Sequence, residues 1–155
     1  MDSDKKDIDP VDRAIILELQ QDARRPFKAI AQKIKVSEGT VKNRVTKLVE
    51  RGILKLEARV NPFRLSHRVS ALVGVTLEKR NHKQTMKRIE NSPEVTAVWN
   101  ASGRYDLFFE IMVGSIEELH AFLFDRCLEQ IKGIKATESF IILSSNTKYF
   151  KLPPS

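Results

Sequence analysis

The chain has 155 residues, enough for one ordinary domain or two small ones with an adequate core. Its composition, 41% hydrophobic and 30% charged with few glycines and prolines, is globular. No apolar run approaches the roughly 20 residues of a membrane span, and the polar, acidic opening MDSDKKDIDP does not read as a signal peptide. The net charge of +7 favours a polyanionic partner only weakly by itself, but it is unevenly spread. Met1 to Ala23 carries seven acidic residues against three basic, Arg24 to Arg59 eleven basic against three acidic, and the remainder is nearly balanced.

In chain order, DIDPVDRAIILELQQDAR opens with Asp9 as an N-cap and Pro10 at the first helical position, where the missing N–H costs nothing. Asp12 adds negative charge to the first turn, and Ile15, Ile16 and Leu19 form an apolar stripe. FKAIAQKI follows with Phe27, Ile30, Ala31 and Ile34 at helical spacing. After a short break, Ser37 is placed to cap a third helix, EGTVKNRVTKLVERG, which Gly52 can end. On this helix Val41, Val45, Leu48 and Val49 share one face. Gly39, Thr40, Asn43, Thr46, Lys47 and Glu50 lie on or near the opposite face, and Lys42 and Arg44 flank the apolar stripe.

Three short helices with a small, polar and basic outer face on the third make a helix-turn-helix. Such a helix lies in the major groove, where Asn pairs with adenine, Arg or Lys with guanine, and flanking cations grip phosphate. Gly39 would let the backbone approach closely, at a helix-propensity cost of about 1 kcal/mol. The DNA-contacting set predicted here is Ser37, Gly39, Thr40, Lys42, Asn43, Arg44 and Lys47. The competing reading of the same charge excess is a solvated face on a small helical domain.

Ile53, Leu54, Leu56 and Val60 predict a short extended element or wing, and Asn61-Pro62 is a turn and boundary signal. The expected organisation is a DNA-binding domain over residues 1–52, a linker or wing over 53–66, and a second domain over 67–155. In that second domain VSALVGVTLEK reads as a strand, HKQTMKRIENSPE as a helix stopped by Ser92-Pro93, and VTAVWNAS and DLFFEIMVG as strands. SIEELHAFLFDRCLEQIKG reads as a helix capped by Ser115 and closed by Gly133, and IKATESFIILSS as a last strand. Cys127, the single cysteine, falls on that helical pattern, where a buried structural thiol is expected; it excludes an internal disulfide framework and fits a reducing cytoplasm.

The order β-α-β-β-α-β is ferredoxin-like. Leu107, Phe109 and Ile111 point one way and Phe108 and Met112 the other, and Phe140 and Ile142 oppose Ile141 and Leu143, so both sheet faces are apolar. An antiparallel sheet with helices on one face should show a polar second face; a second copy of the sheet is the simplest cover, which predicts a homodimer. RYDLFFEIM lacks the glycines and aromatic spacing of an RNA-recognition strand. His67, His82 and His120 have no metal-ligand spacing, and no G-x-S-x-G, P-loop or G-x-G-x-x-G occurs, so neither an enzyme nor a metal or cofactor is implied.

IDPVDRAIILELQQDAR, VSEGTVKNRVTKLVERGIL and GRYD, in this order and joined by a short linker, resemble the Lrp/AsnC (feast/famine) family of prokaryotic transcription regulators. The likeness runs from about Ile8 to Lys148. It implies an α+β protein: an N-terminal (winged) helix-turn-helix domain, a linker and a C-terminal βαββαβ (RAM/ACT-like) domain. It also implies a cytoplasmic regulator of double-stranded DNA that dimerises through the β-domain and assembles further, to tetramers or octamers, with an amino-acid effector bound between dimers. Arg44 falls where the family carries its recognition-helix arginine. The family's Gly-x-x-Asp turn and Thr/Ser-x-Thr/Ser pair fall on Gly103 and Asp106, and on Thr137 and Ser139.

The residues between, Arg104 and Tyr105, complete the expected effector set. An aspartate can accept from a ligand ammonium, exposed turn N–H groups can hold a carboxylate, and Arg104 could select an acidic ligand or meet the next subunit. The plain alternative for GRYD is a hairpin turn in which Gly supplies φ > 0 and Asp satisfies backbone. The rival functions are an architectural DNA-binding protein without an effector, and a ligand-binding metabolic enzyme or sensor whose N-terminal helices serve only assembly.

Overall fold

The computed structural model describes residues 8–78, 82–146 and 149–152. The acidic opening at residues 1–7, Lys79 at the end of the first predicted strand, and Lys148 lie outside them. The chain divides into two compact units, Met1–Glu57 and Ala58–Ser155.

The first unit is three helices. α1 (Pro10–Gln21) is capped by Asp9, whose side chain accepts the Asp12 N–H at 2.8 Å. α2 (Phe27–Ile34) follows Pro26, which offers no side-chain cap. It ends on Lys35 in the left-handed conformation (φ 58°), with the Val36 N–H returning to the Ala31 carbonyl. Reversed so sharply, the chain reaches Ser37, which caps α3 (Glu38–Glu50) by accepting the Thr40 N–H at 3.0 Å.

Ile15, Leu19, Ile30, Ala31, Val41 and Val45 form one core, with Leu54 packed at its edge. Full burial of Ile15, Ile30 and Val41 contributes roughly 1.5–3 kcal/mol each. Val49, expected in the apolar stripe, is 45% exposed in the last turn of α3, where Leu48 is the buried apolar residue. The extended element expected over Ile53–Val60 is confined to Val60, which makes an isolated bridge with Phe150. Ile53 and Leu54 instead donate their N–H groups to the Leu48 carbonyl, finishing the end of α3.

In the second unit β1 (Val69–Leu77), α4 (His82–Glu90), β2 (Val95–Asn100), β3 (Leu107–Val113), α5 (Ile116–Ala121) and β4 (Ile134–Ile141) follow in order. α5 is capped by Ser115 and widens into a π-helical stretch, Phe122–Leu128. The sheet is antiparallel in the order β2-β3-β1-β4. Directly paired residues share a face. On one face Ala71, Val73 and Val75 meet Ile111, Phe109 and Leu107, all fully buried against Ile89, Leu119, Phe122, Leu123, Cys127 and Ile131 of the helical layer. Cys127 is buried and free, and burial pushes its thiol up to about 11.

On the other face Phe108 stands between Trp99 and Gly74, and Leu72 pairs with Glu110 and Phe140. Trp99 is 40% and Phe140 43% exposed, so this second face is apolar where a solvated antiparallel sheet would be polar.

Glu18 is the ionic tie between the first two helices. Almost buried, it takes Lys33 Nζ at 2.6 Å and the Arg25 guanidinium. The Lys33 hydrogen bond, outweighing desolvation, holds its carboxyl below the usual value. A depressed carboxyl stabilises the fold above its unfolded pKa, and that stabilisation is lost as the pH falls through the folded value. Acidification below about pH 4 is therefore expected to lower the melting temperature of the helical signal by circular dichroism. Glu18→Gln should flatten that acid limb, and an unchanged limb would remove Glu18 from the account.

Candidate functional site

On α3 the side chains of Lys42, Asn43, Thr46 and Lys47 are exposed while Val41, Val45 and Leu48 are buried beneath them. Thr46 Oγ1 donates to the Lys42 carbonyl at 3.1 Å, turning the threonine back onto the helix. Lys42, Asn43 and Lys47 are left as its outward chemistry. Ser37 and Thr40 are partly committed to the cap, their hydroxyl oxygens 2.8 Å apart. A Cβ on Gly39 would meet only Ser37 Oγ, at 3.8 Å, so the chain's own packing does not require glycine there.

Arg44 is engaged inside the unit. Its Nη1 donates to Asp9 and, at 2.9 Å, to Asp12. Asp9 thus works at both ends: the Asp12 backbone N–H first, then Arg44, hold its carboxyl below the usual range. Sequence reasoning read these two aspartates only as a cap and a first-turn charge. Nothing in local spacing reveals that they also clamp an arginine 35 and 32 residues away. The clamp borders a hollow of about 460 Å³ that Asn43, Lys47 and Arg51 also line.

The turn between β2 and β3 is closed by the Ala101 N–H on the Asp106 carbonyl at 2.9 Å, with Gly103 at φ 138°, a conformation that favours glycine. The Asp106 N–H continues the ladder onto the Val75 carbonyl, and its Oδ2 accepts the Leu77 N–H at 2.8 Å. The aspartate therefore terminates β1, and its Oδ1 has no partner among the described residues. Tyr105 lies flat on β1: a Cβ on Gly74 would come 2.8 Å from its ring. Phe108 and Phe140 meet that ring edge-on, and its hydroxyl donates to Glu138. That bond, before desolvation, raises the Tyr105 pKa. Arg104, 80% exposed, reaches Glu138 at 3.4 Å.

Gly103, Arg104, Tyr105 and Asp106 are thus brought together. Thr137 and Ser139 are set apart from the Tyr105 cluster: paired with Val75 and Val73, they share the helix-covered face at its β4 edge, whereas Glu138 shares the face of Tyr105. Glu138 and Gly74 were missed in the sequence. Alternation along TESF places Glu138 with Phe140, which was the available signal.

The model of the AsnC-type helix-turn-helix domain matches residues 8–49, and that of the Lrp/AsnC ligand binding domain matches residues 70–150. The chain belongs to the Lrp/AsnC family. An HTH-type transcriptional regulator of Pyrococcus horikoshii is 35% identical over 143 residues, covering 92% of this chain and 90% of that protein. The regulatory protein AsnC of Haemophilus influenzae is 30% identical over 140 residues, 89% and 93% of the two chains. Among solved structures, E. coli AsnC aligns with a TM-score of 0.72 at 28% identity, over 96% of this chain and all of the other. The leucine response regulatory protein LrpA of Mycobacterium tuberculosis aligns with a TM-score of 0.80 at 27% identity, over 95% and 100%. This Lrp/AsnC protein is a DNA-binding transcription regulator with a ligand-binding domain, and not an enzyme.

Two substitutions separate gripping DNA from holding the helix. Arg44→Ala strands the mostly buried Asp12 carboxylate and should lower the melting temperature along with operator affinity. Lys47→Ala should leave melting unchanged, weaken binding evenly across sequences, and reduce the slope of log K against log salt by about 1. Equal melting of the Arg44 variant and the parent would show that the clamp does not hold the helix.

Proposed function

We propose that this regulator reads its operator through Lys42, Asn43 and Lys47, with Ser37, Gly39, Thr40 and Arg44 shaping that surface, and that an amino-acid effector at the Gly103–Asp106 turn sets its DNA affinity. The observation that carries the reading is the division of labour along α3: its apolar positions are buried, its arginine is held by α1, and its exposed stripe is left uncommitted. Asn43 supplies the bidentate amide that suits adenine, and the lysines supply phosphate or guanine contacts.

At the turn, the spare oxygen of Asp106 suits a ligand ammonium, and exposed Gly103 leaves the backbone open to a carboxylate. The naming of one relative for a leucine response supports an amino-acid effector. Thr137 and Ser139 enter such a site only from the β4 edge. The exposed Trp99 and Phe140 support pairing of two sheets as a homodimer, and further assembly into tetramers or octamers would bring neighbouring dimers against the turn. A cytoplasmic location accords with this role.

The test is selection of bound duplexes from a random pool, with and without amino-acid mixtures. A defined half-site and an amino-acid-dependent change in affinity are expected. Asp106→Asn keeps an acceptor for the Leu77 N–H but loses the charge. It should bind the operator as the parent does and lose at least about tenfold of the effector response. A full response in that variant would move the effector elsewhere, and a stable monomer at micromolar concentration by sedimentation would remove the dimer.

A further inference from the structure

A second hollow, of about 440 Å³, lies on the helical side of the sheet unit and shares no residue with the turn at 101–106. Arg88, Asn91 and Ser92 reach it from the end of α4 and the turn beyond, and Arg126 and Gln130 from the π-helical stretch and the residues that follow it. Phe122, Cys127 and Ile131 form a floor that is almost wholly buried. The chain has 20 acidic residues, yet none lines this hollow, while five side chains that can donate hydrogen bonds do.

The two arginines differ in a useful way. Arg126 is held in direction: its Nη1 donates to Glu94 at 2.6 Å, and its guanidinium carbon stands 4.9 Å above the Phe122 ring. Those contacts leave the rest of its donor fork available. Arg88 is exposed and has no acidic partner among the described residues. The π-helical stretch carries Phe122, Arg126 and Cys127 at this place, and such interruptions of a helix collect at functional sites. The Cys127 thiol, with its raised pKa, stays neutral and does not repel an anion.

We propose that this hollow is a second small-molecule site, taking a phosphomonoester whose phosphate is held between Arg88 and Arg126 and whose body lies beside Gln130 and Ile131. Two guanidinium forks from different elements, together with amide and hydroxyl donors, match the three terminal oxygens of a phosphate better than the two of a carboxylate.

Calorimetric titration of the full-length protein with phenyl phosphate tests it. One molecule per chain is expected to bind, and phenylacetate at least roughly tenfold more weakly. Arg88→Gln should weaken phenyl phosphate by at least about tenfold while leaving DNA affinity unchanged. Arg126→Lys, which retains a charge beside Glu94 but not the fork, should weaken it likewise. Absence of binding at millimolar phenyl phosphate, parental affinity in both variants, or equal affinity for phenylacetate would each overturn the assignment.

Discussion

Strand β1 is the constraint on which the larger unit is built. Hydrogen-bonded along both edges, to β3 and β4, it must serve two faces at once. Toward the helices it offers Ala71, Val73 and Val75, a flat apolar row that Phe109 and Phe122 close over. On the other face it offers Gly74 where the Tyr105 ring needs room; any side chain there would collide with the ring. The end of the strand is set by Asp106, whose carboxylate supplies Leu77 with the acceptor that the ladder no longer provides. The turn is thus part of the sheet's own closure, and whatever touches it touches the end of β1. A ligand ammonium on the spare oxygen of Asp106 would share one carboxylate with the Leu77 N–H, a direct physical route from the turn to the central strand.

The helical unit solves a different problem. A recognition helix has to keep a polar face uncovered and still be held in place, and the apolar residues beneath it are small. The Arg44 clamp on Asp9 and Asp12 adds a second hold at the start of α1, and Glu18, with Arg25 and Lys33, does the same between α1 and α2. Both ties are made by acids of the first helix and bases of the later segment. The charge asymmetry along the sequence is therefore partly internal wiring, and not every cation of the basic segment is at the disposal of a partner.

Local chemistry was legible in the sequence. Asp9 before Pro10, Ser37 and Ser115 cap helices as their side chains dictate, and the alternation in DLFFEIM set Leu107, Phe109 and Ile111 on one face, which the structure packs against the helices. What escaped was non-local or depended on backbone twist. Arg44 finds its acids across more than thirty residues, and no periodicity encodes that distance. Val49, in the last turn of α3, lies outside the core, and Lys35 takes a left-handed turn that glycine would have announced. The π-helical widening after Ala121 has no compositional signature. Thr137 and Ser139 were grouped with the turn by motif, and only the register onto Val75 and Val73 shows that they face the other way from Tyr105.

The position of Asp9 and Asp12 beside Asn43 and Lys47 has a kinetic consequence. Two carboxylates there face the guanidinium and ammonium groups of Arg44, Lys47 and Arg51, so the basic lining is partly offset. Over a screening length of about 8 Å the two carboxylates offset part of the pull of these cations on any phosphate, whatever the base sequence. The neutral amide of Asn43 carries no charge for them to offset. Weaker phosphate contact shortens every encounter by the same factor, so arbitrary DNA is released sooner. A protein searching a genome of competing sites spends less of its time on the wrong ones.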